Sequence, residues 1–339
     1  MLSFFSRSKT AARMPYFKIL PTLEHKSDPE RFASFLQGLL DTGNEWYRFL
    51  LLIDENGLGT IYLGCPPVPA AERALISALK TACPDVEALP CEENPTAGWP
   101  AGSAAELVPA SDILPFDFAN PDVFAAVAQV LGLGRNDGNR AAFDVCFDPL
   151  SPRKESALKE KAAKEAARLL GTEPPRGGLS SLIERLEREL KPGAFSLSPG
   201  RARQMRPPQP ARPQIRPDQR NAALAVLKRF EKGRFFRAVV RFSAHSAHPK
   251  MAKSLVAAAA NVLARAASPH GNRFVASGAF GAPDRLRKGV LGPWDGRPVS
   301  SLELAYLIAI PTTESQVGRS IEHISSRTAP PPLEMLGEE

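Results

Sequence analysis

FRAVVRFSAHSAHPKMAKSLVAAAANVLARAASPHGNRFVASG, residues Phe236–Gly278, runs through two periods in succession. Phe236, Ala238, Val240, Phe242 and Ala244 are apolar at every second position while Arg237 and Arg241 fall on the other side, the alternation of a half-buried strand. After Ser246 and His248, Pro249 suits the first turn of a helix, and Met251, Leu255, Ala259, Val262, Leu263 and Ala266 follow at helical spacing. Gly271 stops that helix, and Asn272–Ser277 returns as a strand. A strand, a covering helix and a return strand form an architectural unit without a catalytic motif, and they predict an α+β fold.

Upstream, Ser27 and Glu30 flank Pro29 as a capping-box pair, and Phe32, Phe35, Leu36, Leu39 and Leu40 repeat at helical spacing. Trp46–Ile53 reads as a strand, Asn56-Gly57 as a hairpin turn and Thr60–Cys65 as the returning strand. Pro69 opens a second helix with Ala71, Leu75, Leu79 and Ala82 inward, and Val86–Leu89 is extended again, a succession that makes most of a ferredoxin-like sandwich. Glu92–Ser111 reads as loop and Asp112–Phe118 as a strand. Pro121 starts a helix, and Ala141–Phe147 alternates as a closing strand.

Two amphipathic helices follow, Lys154–Leu170 and Leu179–Leu190, then Pro192–Pro217, whose seven prolines without a period predict an extended linker. Asp218–Lys232 is again helical. Ala279–Val299 reads as loop, and Ser300 with Glu303 makes a second capping box ahead of a short helix ended by Pro311. The expected organisation is a basic N-terminal arm (1–20), a ferredoxin-like unit (21–150), a helical hairpin (151–191), a Pro/Arg-rich linker (192–217), a second ferredoxin-like unit (218–311) and a C-terminal tail (312–339).

The chain has 339 residues and a net charge of +7, with the surplus concentrated locally. Between Arg201 and Arg241 there are twelve Lys or Arg against only Asp218 and Glu231. Arg201, Arg203, Arg206, Arg212 and Arg216 are therefore the candidates for nucleic-acid contact, either as a mobile cationic arm or as a solvated spacer. Cys65, Cys83, Cys91 and Cys146 include no CxxC pair and read as buried thiols of a cytoplasmic protein. No apolar run reaches the ~18 residues of a membrane span, although the basic start could touch the inner face of a membrane peripherally. His245 and His248, with His270 further on, have no acidic or thiol third ligand at usable spacing, so no metal is expected. Gly132, Gly134 and Gly138 follow a helix and lack a Lys-Ser/Thr ending, as a C-cap and turn would; no cofactor and no enzymatic activity are expected.

Three passages carry a family resemblance. RFLLLIDENGLGTIYLGCPPVPAAERALISALKTACPDVEALP, with Ala82-Cys83-Pro84-Asp85 in place of a Tyr-Pro-Asp-like turn, looks like the domain ahead of the motor in coupling-protein-type ATPases of conjugative type IV secretion. ANPDVFAAVAQVLGLGRNDGNRAAFDVCFDPLS, with Asn120-Pro121 and Asp148-Pro149, resembles that family's next helix and strand. The opening stretch followed by VSSLELAYLIAIP is similar to its second strand–helix unit. In that family a P-loop domain comes soon after the Glu-Leu-Ala element, and the chain reaches Glu339 without a Walker motif. The resemblance implies a non-catalytic accessory or N-terminal portion of a DNA-translocating ATPase. Glu303, Leu304, Leu307 and Ile308 would dock the P-loop ATPase, DNA would be a secondary partner, and oligomers are compatible with the role.

Overall fold

The computed structural model describes residues 14–40, 46–100, 102–116, 122–171, 216–231, 234–265, 271–277, 282–288 and 296–324. The strands are β1 Tyr16–Pro21, β2 Tyr47–Ile53, β3 Gly59–Gly64, β4 Val86–Cys91, β5 Ser103–Pro109, β6 Arg140–Pro149, β7 Phe235–His245, β8 Phe274–Ala276 and β9 Arg297–Ser300. The helices are α1 Pro29–Gly38, α2 Pro69–Ala82, α3 Val123–Leu131, α4 Pro152–Leu169, α5 Pro217–Glu231, α6 Pro249–Arg265, α7 Ala282–Lys288, α8 Ser301–Ile308 and α9 Gln316–Arg319. The class is α+β. All nine strands join one antiparallel sheet in the order β4-β1-β3-β2-β6-β7-β5-β8, with β9 also paired to β7.

The sheet holds one pattern twice. In residues 16–91 the chain runs β-α-β-β-α-β, and the strands lie in the order fourth, first, third, second. From β5 to β8 the chain again runs β-α-β, then β-α-β, and the spatial order is again fourth, first, third, second. The two halves meet along their second strands, antiparallel from Tyr47↔Phe147 to Ile53↔Ala141. Rings continue across that junction: Phe49 sits edge-on to Phe143 at 6.3 Å, and Phe143 stacks on Phe242 at 5.5 Å. Phe17, Ile19, Phe35, Leu75, Phe124, Phe143, Phe242, Val256 and Leu304 belong to one core between the sheet and its helices. Each such side chain contributes roughly 1.5–3 kcal/mol by leaving water.

The expected boundaries differ from this arrangement. Residues 21–150 and 218–311 do not hold separate sheets, because β7 pairs with β6 from Arg140↔His245 to Pro149↔Phe236 and with β5 on its other side. Contacts divide the chain into a unit of Met1–Ser111, Phe116–Leu150 and Arg234–Glu339, and a unit of Asp112–Pro115 and Ser151–Gly233. The second unit interrupts a hairpin of the first: the Leu150 N–H donates to the Phe235 carbonyl at 2.9 Å, so the chain leaves and re-enters the sheet at neighbouring positions. Within that second unit α4 packs on α5, through Ala166 and Leu170 against Ala223 and Leu227. The expected hairpin partner, 179–190, lies outside the described residues, as does the linker stretch 192–215.

Several local expectations shift for identifiable reasons. Residues 16–20, taken with the basic arm, are most of β1, with Phe17 and Ile19 in the core and Lys18 on the other face. The expected loop 92–111 contains β5, whose small Ala104 and Ala105 hide the alternation; the described part of 112–118 has no strand. β5 also separates β7 from β8, which are not neighbours. The cap of α1 is Asp28, whose carboxylate accepts from the Glu30 and Arg31 N–H groups, while the Ser27 N–H donates to Thr312 Oγ1. The Ser300–Glu303 capping box is present. Residues 312–324 of the expected tail are packed: Val317 and Ile321 are buried, and the Ile324 N–H donates to the Pro21 carbonyl. No helix among the described residues is long and apolar enough to cross a membrane.

Candidate functional site

On the face of the sheet away from the main core, four neighbouring strands each contribute one charge. Glu106 on β5 lies directly opposite Arg241 on β7, and Arg241 lies opposite Asp144 on β6. Arg48 on β2 faces Cys146, and its guanidinium reaches diagonally to Asp144. Signs alternate across the row, as cross-strand neighbours require. Arg241 Nε is 2.8 Å from Glu106 Oε2, Arg48 Nε is 2.7 Å from Asp144 Oδ1, and Arg241 Nη1 is 3.6 Å from Asp144 Oδ2.

The cluster is sealed. Arg48, Asp144 and Arg241 are 0% exposed and Glu106 is 5% exposed. Trp99 and Leu286 cover it and pack with Leu50 and Ala142. Arg48 donates to Tyr16 Oη at 2.8 Å, Thr96 Oγ1 at 3.2 Å and the Leu286 carbonyl at 2.6 Å, fastening α7 onto the sheet. Ser277 Oγ donates to Glu106 Oε1 at 2.8 Å, and Arg285 approaches the same oxygen at 3.5 Å. The four buried charges, two cations and two anions, cancel, the condition under which buried charge is tolerated, and the partly exposed Arg285 stands at their edge.

Electrostatics fix the protonation states. Burial works against the Arg48 charge, but Asp144, Tyr16 and Cys146 outweigh it and hold the guanidinium above its ordinary pKa. Arg241 is likewise raised against burial by Cys146, Asp144 and Glu106. Burial raises the Tyr16 hydroxyl and, with Asp144 adding to it, pushes the Cys146 thiol up to about 12. A thiol kept protonated is a poor nucleophile. The arrangement ties strands of both halves and α7 together, and its charges are directed at one another.

The residues expected to act fall elsewhere. Glu303, Leu304, Leu307 and Ile308 do not form a docking surface: they are 6%, 0%, 1% and 0% exposed, because α8 packs against α1 and α3. Glu303 caps instead, its carboxylate accepting from the Ser300 N–H at 2.7 Å and the Phe116 N–H at 2.9 Å. Arg201, Arg203, Arg206 and Arg212 lie outside the described residues, and Arg216 is exposed just before α5. His245 ends β7, His248 is exposed, and His270 lies outside the described residues. Among the described residues no group of three or more His, Cys, Asp or Glu could hold a metal ion.

The Gly132–Gly138 loop closes a helix and a turn. Gly132 caps α3 at φ 109°, and the Gly134 and Gly138 N–H groups donate to the carbonyls of Gly57 and Glu55. Gly57, at φ 78°, could carry no side chain there, since a Cβ would fall 2.2 Å from the Arg135 carbonyl oxygen. The sequence signal for this cluster is a charge set inside an apolar run: Arg48 is the one charge of YRFLLLI, and Asp144 interrupts AAFDVCF within RAAFDVCFDP, whose other charges, Arg140 and Asp148, stand near the strand ends. Such a charge needs a buried partner of opposite sign. No protein-family model matches the chain, and no curated protein matches it in sequence.

Proposed function

We propose that the chain is a non-catalytic accessory, or the N-terminal portion, of a DNA-translocating ATPase of conjugative type IV secretion, and that it works by docking and assembly at the cytoplasmic side. The observation that carries the scaffold part of this reading is the sealed charge cluster: its acids, cations and thiol are buried and paired with one another across the sheet. The family part rests on the three sequence passages, and the strand order of the two halves supports the ferredoxin-like assignment made with them. With Glu303, Leu304, Leu307 and Ile308 in the core, docking falls to exposed residues such as Leu302, which is 41% exposed on α8.

The test is co-expression of the full chain with a P-loop ATPase of a conjugative DNA-transfer system, followed by size-exclusion chromatography. A shared peak, reduced by Leu302→Glu without change in the melting temperature of the chain alone, supports the reading. Separate elution of two folded proteins overturns it.

A further inference from the structure

The outer face of α4 has no part in that reading. Ala166 and the adjoining Leu170 pack against α5, while Arg153, Lys154, Lys161, Lys164 and Arg168 are exposed on the opposite side. Every acid of the helix is engaged: Glu155 pairs with Lys159 at 2.9 Å, Glu160 with Lys164 at 2.7 Å and Glu165 with Arg168 at 2.6 Å. Arg153, Lys154 and Lys161 have no ion pair among the described residues. Lys154 and Lys161 stand two turns apart on one side of the helix, ~10 Å along its axis.

We infer that this face of α4 binds the phosphate backbone of duplex nucleic acid. A line of cations with no competing free carboxylate is complementary to a backbone that presents a charge every ~1.7 Å of duplex axis. An anionic membrane fits less well, because a surface-bound helix buries an apolar side in the lipid, and Ala157 is the only apolar residue exposed within 153–168. Single strands fit less well too, since they are held by aromatic stacking and α4 contains no aromatic residue. The inference stands on α4 alone and does not depend on an ATPase partner.

The test is fluorescence anisotropy of the full chain with a labelled random-sequence duplex, the matching single strand, and phosphatidylserine vesicles, between 50 and 200 mM salt. Three phosphate contacts contribute a slope of about 2.7 in log affinity against log salt, which is roughly 40-fold over that range. The variant R153Q/K154Q/K161Q should lose that contribution and keep its helicity, since Gln is nearly as good a helix former as Lys or Arg. The variant R201Q/R203Q/R206Q/R212Q should retain it. The proposal is overturned if the wild-type chain fails to bind the duplex, if the α4 variant binds with an unchanged slope, or if vesicles are bound in preference to the duplex. Co-elution with the ATPase, measured on the same variant, reads the other proposal separately.

Discussion

The two halves of the sheet share a chain order and a strand order, yet they treat the same junction in opposite ways. Between its second and third strands the first half makes a tight turn, Asp54–Leu58, closed by Asp54 Oδ1 accepting from the Asn56 and Leu58 N–H groups. At the corresponding place the second half leaves the sheet at Leu150 and returns at Arg234. Both solutions keep the same ladder, because a strand pair constrains its ends and not what joins them. Pairing, cross-strand charge and the shared core set the architecture; the connection is free to carry something else.

The comparison breaks most severely if the seam between the halves is damaged. Asp144 serves both, bonding Arg48 of the first half and lying beside Arg241 of the second. Asp144→Asn leaves Arg48 without its buried anion and Arg241 with Glu106 alone, and should cost about 3–5 kcal/mol in urea unfolding. The matched control is the exposed pair on α4, where Glu165→Gln should change stability by less than about 1 kcal/mol. Equal small effects at both sites would mean that the seam does not depend on its charges.

Alkali tests the halves separately. Burial pushes the thiols of Cys65 and Cys83 in the first half, and Cys146 in the second, up to about 12 from an ordinary 9. Above pH 9 the unfolded chain loses these protons while the folded chain keeps them. Folding then binds more protons than unfolding, and stability falls as pH rises towards 12. The slope is up to about 1.4 kcal/mol per pH unit for each thiol. Cys65→Ala and Cys146→Ala should each flatten the decline between pH 9 and 11 in denaturant titrations; an unaltered slope in both would contradict the burial assigned to them.

How much of this was legible follows from which signals are local. The β7–α6 stretch, the Ser300 capping box, the turn at Asn56-Gly57 and the inward face of α2 depend on residues close in sequence, and each element appears where its pattern placed it, although β7, expected to be half-buried, is buried on both faces because Arg241 lies inside the charge cluster. Strand adjacency is not local. Nothing near Phe236 says that its partner is Pro149 across the inserted helices, so the second half was divided at the insertion. β5 was hidden because Ala104 and Ala105 give no contrast between faces, and its one informative residue, Glu106, makes sense only beside Arg241. The docking role of Glu303, Leu304, Leu307 and Ile308 comes with the family resemblance, and the apolar stripe they share does not say whether a partner or the protein's own α1 covers it.

The smallest effect is expected where the comparison is sharpest, at the insertion itself. If the two halves are the same design, the second should accept a turn like that of the first. Leu150 and Phe235 are already joined by a backbone hydrogen bond, and Pro149 lies opposite Phe236, so the ends are at hairpin distance. Replacing residues 151–233 by Asn-Gly leaves a three-residue link, Asn-Gly-Arg234, one of the common hairpin lengths. It also keeps the Arg234 carbonyl, which accepts from the Ser301 N–H at 2.9 Å and holds the start of α8. Loop-closure entropy favours the shorter link by roughly 0.6 kcal/mol per halving of a flexible loop, an advantage reduced where folded helices already restrain the connection. The sheet should therefore unfold cooperatively, with a stability within about 1 kcal/mol of the parent per length-matched comparison, and with the Asp144→Asn penalty intact. A shortened chain that loses its strand signal in far-ultraviolet circular dichroism would show that 151–233 is needed to form the second half, and the likeness between the halves would then be one of strand order alone.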